Sequence, residues 1–362
     1  MIEIDGSQGE GGGQVLRTAL ALSVLTGQPV ALNHIRAKRP KPGLMRQHLA
    51  CVQAAQAISG AQVEGAALGS KSLRFEPGTV RAGDYTFTIS SAGSAVLVLQ
   101  TVLPPLLWAD APSTLTLTGG THNPMAPSFH FLRDAYAPLL TRLAPGQPAP
   151  LALTLKRHGF YPAGGGEVQA RITPPATPLQ PFDLPERGAL VGAHGEALSP
   201  GLPRAVATRE LQALAAGMGW APEQLHYGHA RQDEGPGNAL MAVLRYEHVT
   251  EVFTEYGARG VSAEEVAARL LTQVRAYQRG ADDAGHGAAL GPHLADQWAL
   301  LLALAVWRSG GEAGFTCSEV TEHLRTNIEV IRRFLPLRAT ITPDGAAHRV
   351  RWQCAGGSLA GG

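Results

Sequence analysis

The segment IDGSQGEGGGQVLRTALALSVLTG places Gly9, Gly11, Gly12 and Gly13 directly ahead of an apolar run that reads as a helix. Glycines at such a junction let the backbone come close to phosphate oxygens at a helix N-terminus, where unpaired N–H groups and the helix dipole favour an anion. Two familiar nucleotide loops are excluded by spacing. The dinucleotide pattern G-x-G-x-x-G, started from Gly9 and Gly11, requires glycine where Gln14 stands, and no Gly-Lys-Ser/Thr run follows these glycines. GSKS at residues 69–72 misses the P-loop pattern by one extra serine. The turn is therefore either a ligand-free strand-to-helix junction or a phosphate cradle of another kind.

A second stretch, RAKRPKPGLMR, carries Arg36, Lys38, Arg39, Lys41 and Arg46 and no acid. Its two prolines keep it from forming a regular helix before Gly43. Guanidinium forks match phosphate oxygens two at a time, so the loop suits a phosphate clamp; a solvated basic loop is the alternative. A third stretch, HGFYPAGGGEV at residues 158–168, sets three consecutive glycines between strand-like runs, as a plain hairpin or a bulge would.

These residues have to be positioned by a repeated framework. The first unit reads as strand (2–5), glycine turn, helix (14–25), strand (30–35), helix (43–58) and two strands near Val63 and Leu73. The second reads as strand (85–89), an apolar helix ending near Trp108, strand (114–118), helix (129–143) and strands at 151–155 and 167–172. A third closes the chain with helix 294–307, strand 314–318, helix 322–334 and strands 338–341 and 348–353. The recurring order β-α-β-α-β-β predicts an α+β fold of three repeats. Helices such as TALALSVL and WALLLALAVW are apolar all round and should be buried, while RQHLACVQAAQAI is amphipathic and should lie outside. Proline-rich TPPATPLQPFDLPE reads as a linker into an inserted α+β domain. The expected division is 1–182 (two repeats and the start of the third), 183–283 (insert), 284–354 (rest of the third repeat) and a frayed tail at 355–362.

A hydrophobic fraction of 44% with 16% charged residues describes a globular chain, and a net charge of +1 argues against a coat for long nucleic acid but not against a local grip on one end. No stretch is long and apolar enough to span a bilayer, and none reads as a secretory leader, so no membrane partner is expected. Cys51, Cys317 and Cys354 are odd in number and far apart, which supports neither a disulfide framework nor a zinc site; a reducing cytoplasm is the expected compartment. The oligomeric state stays open.

DGSQGEGGGQVLRTALALS, RAKRPKPGLMRQHL and HGFYPAGGGEV, followed in order by HLADQ and EHLRTN, resemble the RNA 3'-terminal phosphate cyclase family over residues 2–352. The resemblance implies three repeats like the C-terminal domain of a translation initiation factor, plus a small insert. It implies ATP-dependent conversion of an RNA 3'-phosphate to a 2',3'-cyclic phosphate through a histidine–AMP adduct at His323. It assigns phosphate and RNA-end contacts to Arg17, Arg36, Arg39 and Gln47, the adenine pocket to Gln100, Pro127, Phe131, His293, Asp296 and Gln297, and an Mg²⁺ or Mn²⁺ ion to Glu10. His293 departs from relatives that carry tyrosine there.

TEHLRTNIEV reads as a helix start capped by Thr321. A histidine in that first turn meets the positive end of the helix dipole, which favours the neutral ring whose lone pair can attack phosphorus. Catalytically silent, cyclase-like ribosome-assembly proteins remain the alternative, and they lack this histidine. An enolpyruvyl transferase shares related repeats but has no use for the triple-glycine motif.

Overall fold

Strand β1 (Ile2–Asp5) runs into helix α1 (Gly13–Thr26), followed by β2 (Val30–Asn33), α2 (Arg46–Ser59), β3 (Gln62–Glu64) and β4 (Leu73–Glu76). The computed structural model describes residues 1–9, 11–90, 92–280 and 287–355. The four strands form one sheet in the order β1-β2-β4-β3, with β1 and β2 parallel and the other pairs antiparallel. The plan recurs with β5 (Asp84–Thr88), α3 (Ala95–Leu106), β6 (Ser113–Gly119), α4 (Phe129–Phe131), α5 (Ala137–Arg142), β7 (Leu151–Arg157) and β8 (Gly166–Ile172), whose strands order as β5-β6-β8-β7. The single helix expected over 129–143 is broken by a π turn at Leu132–Tyr136. Pro138, in the first turn of α5, has no N–H to give the preceding turn, and the widened turn accommodates its ring.

The insert consists of β9 (Leu190–Leu198), α6 (Arg204–Met218), β10 (Leu225–Tyr227), β11 (Ala239–Tyr246), β12 (Thr250–Glu255) and α7 (Ala263–Gln278). Its sheet has the order β10-β9-β11-β12, with α6 and α7 packed on each other and on the strands. The third repeat follows as α8 (Pro292–Ser309), β13 (Glu312–Cys317), α9 (Glu322–Phe334), β14 (Leu337–Asp344) and β15 (Ala347–Cys354), with the sheet order β13-β15-β14.

The first strand of this third repeat is split by the insert. Leu184 lies parallel to β13 opposite Phe315, and Leu290 lies parallel to it opposite Cys317. Thr316 stitches the joint. Its N–H donates to the Leu184 carbonyl and its own carbonyl accepts from Leu290, both at 3.0 Å. Its hydroxyl donates to the Pro185 carbonyl at 2.7 Å and accepts from the Ala289 N–H at 2.8 Å. The insert thus enters and leaves at one point of a strand, and the sheet closes over the gap.

The apolar helices are buried as their patterns require. Leu20 and Leu22 in α1, Leu99 and Leu103 in α3, and Trp298 and Leu302 in α8 are all fully covered. Helix α1 packs on α3 and α9, and α8 packs on α9. Helix α9 is one-sided, turning Leu324, Ile328, Ile331 and Phe334 inward. Helix α2 begins at Arg46, later than expected, because Gly43 is left-handed (φ +84) and a Cβ there would overlap the Gly69 carbonyl. Among the described residues, no helix is long and apolar enough to cross a membrane.

Candidate active site

The glycine turn sits between the basic loop and the start of α9. Gly9 and Gly11 are left-handed (φ +55 and +58), and a Cβ on Gly9 would overlap the Thr326 hydroxyl of α9. From the other side, the Lys38 ammonium donates to the Gly9 carbonyl at 3.2 Å. The cap of α1 is Gly12, which has no side chain to bond the N–H groups of the first turn. A Cβ built on Gly12 would stand 3.1 Å from Arg39 Nη2 and 3.9 Å from His323 Cε1. A helix N-terminus, a guanidinium and an imidazole thus come to one point.

His323 is held by its helix cap. Thr321 Oγ1 accepts from the Leu324 N–H at 2.9 Å and donates to Asp296 Oδ1 at 2.5 Å. Asn327 ties the same helix inward, with its amide donating to the Asp296 carbonyl at 3.0 Å and accepting from the Thr18 hydroxyl at 2.7 Å. Helices α1, α8 and α9 therefore share one buried polar network beneath the histidine. His293, in the first turn of α8, opens onto the cleft, yet enough protein surrounds it that desolvation, and then His323, lower its pKa.

A cleft of about 1580 Å³ joins these parts, and Arg17, Arg36, Arg39, Gln47, Pro127, Phe131, His293, Asp296, Gln297 and His323 all line it. Ser128 caps α4 by accepting from the Phe131 N–H at 3.1 Å, which fixes the Pro127–Phe131 wall. Gln100 does not belong to this lining; its amide atoms are buried along α3 without a hydrogen-bond partner. Glu10 lies outside the described residues, among which no group of three or more His, Cys, Asp or Glu side chains is placed to hold a metal ion.

Two of the cleft residues also have structural duties. Arg36 Nη1 donates to the Lys41 and Gly43 carbonyls at 2.6 and 2.9 Å, closing the basic loop on itself. Gln47 Oε1 accepts from the Ser94 N–H at 2.9 Å, joining α2 to the cap of α3. Burial lowers the pKa of Arg17, which stays a cation.

Sequence reasoning missed His48 and the wall given by the insert. His48 is 8% exposed and lines the cleft where a Cβ on Gly13 would overlap its Nε2. Its Nδ1 accepts from the Met45 N–H at 3.2 Å, which assigns the proton to Nε2, on the cleft side. Burial, then Arg36 and Arg17, push its pKa down to about 3, so it is a neutral donor among cations. Its place two residues past Arg46 was the only available signal. Thr254, Glu255, Tyr256 and Gln273 bring the insert to the same cleft, and no local pattern in the sequence points to that.

A solved EPSP synthase from Acinetobacter baumannii aligns with 94% of this chain at 9% identity and a TM-score of 0.30. The chain spans 64% of that structure's length, and a likeness this low carries no argument. An RNA 3'-terminal phosphate cyclase of Ralstonia nicotianae (strain ATCC BAA-1114 / GMI1000) is 51% identical over 355 residues, covering 97% of this chain and 96% of the relative. The sequence model of the RNA 3'-terminal phosphate cyclases matches residues 8–341. With the family model matched over most of the chain and a relative 51% identical along 97% of it, the chain belongs to the RNA 3'-terminal phosphate cyclase family.

Proposed function

We propose that the cleft converts the 3'-terminal phosphate of an RNA into a 2',3'-cyclic phosphate, with ATP as co-substrate and AMP and pyrophosphate as products. The observation that carries this reading is the convergence of the Gly12 backbone, the Arg39 guanidinium and the His323 ring at one point of the cleft. Its volume of about 1580 Å³ exceeds the roughly 300–1,000 Å³ of a small-molecule pocket, which suits a nucleotide and an RNA end together.

The neutral His323 ring attacks the α-phosphorus of ATP; a P–N bond forms and the bond to pyrophosphate breaks. An oxygen of the RNA 3'-phosphate then displaces the histidine, leaving a mixed anhydride with AMP. The adjacent 2'-hydroxyl attacks the RNA phosphorus, AMP departs, and the hydroxyl proton passes to solvent or to the leaving phosphate. The ribose itself holds the 2'-hydroxyl at the phosphorus, and such intramolecular attack reaches effective molarities of about 10⁵–10⁸ M. The protein's part is to position and to neutralise charge. Arg17, Arg36, Arg39, Gln47 and the first turn of α1 face phosphates, while Pro127, Phe131, His293, Asp296 and Gln297 form the adenine wall. Glu10 would hold Mg²⁺ or Mn²⁺ together with phosphate oxygens, and the ion would supply further charge neutralisation. Cys51, Cys317 and Cys354 are free thiols, in keeping with work in a reducing cytoplasm.

The test is His323→Ala incubated with α-labelled ATP. Loss of the acid-labile, base-stable AMP adduct with an unchanged melting temperature is expected, because a partly exposed first-turn position accepts alanine at little cost. An adduct that persists in the variant would place the nucleophile elsewhere.

A further inference from the structure

The HGFYPAGGGEV motif supplies no residue to the chemistry above, yet its structure is tightly specified. His158 turns inward, its Nδ1 2.7 Å from Glu234 Oε2 of the insert. Phe160 is 2% exposed and packs with Leu198, Ala239 and Met241 of the insert. A Cβ on Gly159 would overlap the Gly119 carbonyl and the Gly166 N–H, so the two ends of the motif close backbone to backbone. Gly164 and Gly165 are left-handed (φ +72 and +73) and return the chain to β8. Between these anchors, Tyr161 is turned out. Its N–H donates to the His122 carbonyl at 3.3 Å, and its side chain, 64% exposed, lines the cleft.

Close by in the chain hydrogen-bonded to Tyr161, Met125 also lines the cleft and is 92% exposed. Its φ is +61, an unfavourable conformation for a residue with a side chain. Among the described residues, His34, Arg36 and Met125 are the non-glycine residues with positive φ, and the latter two stand on the cleft. Backbone strain held at a binding surface accompanies function more often than packing, and neither Met125 nor the Tyr161 ring contributes to the core. Arg36 and Arg39 line the same cleft. An exposed aromatic ring and a flexible apolar side chain in one cleft with two arginines match the two needs of a single strand, a surface for base faces and charge for its backbone.

Resting on the cyclase reading above, we propose that Tyr161, flanked by Met125, is a stacking platform for one of the last two bases of the RNA, and that the HGFYPAGGG motif is built to present it. Stacking of this kind is indifferent to base identity, so the platform grips an RNA end without reading its sequence.

The experiment uses the full chain and short single-stranded RNAs ending in a 3'-phosphate, with 2-aminopurine as the last or the penultimate base. Binding to the unaltered protein should quench the fluorescence at one of the two positions. Tyr161→Phe should keep the quenching, while Tyr161→Ala should lose it and bind roughly 5- to 100-fold more weakly. An abasic sugar at the same position should weaken the unaltered protein by a similar factor and Tyr161→Ala hardly further, the non-additivity of a direct contact. Full-strength, fully quenched binding by Tyr161→Ala would overturn the platform, and so would additive losses. A variant that loses AMP adduct formation before RNA is added would place Tyr161 on adenine and overturn it as well. Failure of the unaltered protein to bind these RNAs would overturn the parent reading with it, whereas binding that ignores Tyr161 overturns the platform alone.

Discussion

Thr321→Ala removes one hydroxyl that does two things. It caps α9 through the Leu324 N–H, and it donates at 2.5 Å to Asp296, whose side chain is 3% exposed. Loss of a threonine cap costs about 1 kcal/mol. Loss of a hydrogen bond to a buried carboxylate costs about 1–3 kcal/mol. The two share one atom and do not add fully, so the total stays below their sum, at about 1.5–3 kcal/mol. For a 362-residue chain, whose unfolding entropy is large, this corresponds to roughly 2–4 °C in melting temperature. The kinetic effect should exceed the thermal one. His323 lies two residues beyond the cap, and a displacement of about 1 Å in a reacting group lowers rates up to about 100-fold. The rate of adduct formation from α-labelled ATP should therefore fall between about 10- and 100-fold, and Thr321→Ser, which keeps the hydroxyl, should recover most of it. If Thr321→Ala forms the adduct at the unaltered rate with an unchanged melting temperature, the cap does not position the histidine and the reasoning fails.

Two further outcomes are expected. Gly13→Ala places a methyl group on His48 Nε2 and 3.0 Å from Arg17 Nη1, so it should cost about 1–3 kcal/mol and weaken ATP binding; a variant with unaltered melting and ATP affinity would show that the turn has slack. Glu251 of β12 is 1% exposed and accepts from the Gly291 N–H, at the cap of α8, at 2.6 Å. Burial raises its carboxyl from the ordinary 4.5 to about 8, against the Gly291 N–H and Arg187, which pull it down. The folded protein then keeps a proton that the unfolded chain has released between about pH 4.5 and 8, so this group's contribution to stability falls as pH rises through that window. Melting temperatures from pH 5 to 8.5 should show that decline, Glu251→Gln should flatten it, and an identical slope in the variant would refute the assignment.

Much of the framework is written locally. The runs that became α1, α3 and α8 are apolar on every side, and such a helix has to be enclosed. Thr321 announces the start of α9 because a cap is a contact over three residues. The π turn at Leu132–Tyr136 and the late start of α2 were not legible, since one depends on how a helix absorbs Pro138 and the other on the distant Gly69 carbonyl at Gly43.

The candidate site divides along the same line. By itself, the sequence offered the glycine turn and the basic loop as groups suited to phosphate through their residue types and spacing, while Arg17 and His323 were singled out through the family resemblance carried by short motifs. Only the tertiary structure decided that Gly12, Arg39 and His323 stand at one point, that Gln100 lies off the cleft, that Arg36 closes its own loop and that His48 is a neutral donor among cations. Apart from the Arg36 loop, whose bonds span five and seven positions, those are contacts between residues tens to hundreds of positions apart, fixed by three repeats packing their apolar helices together and by an insert spliced into one strand. No local pattern encodes them, because each is set by the burial of surfaces that the chain brings together only when it folds.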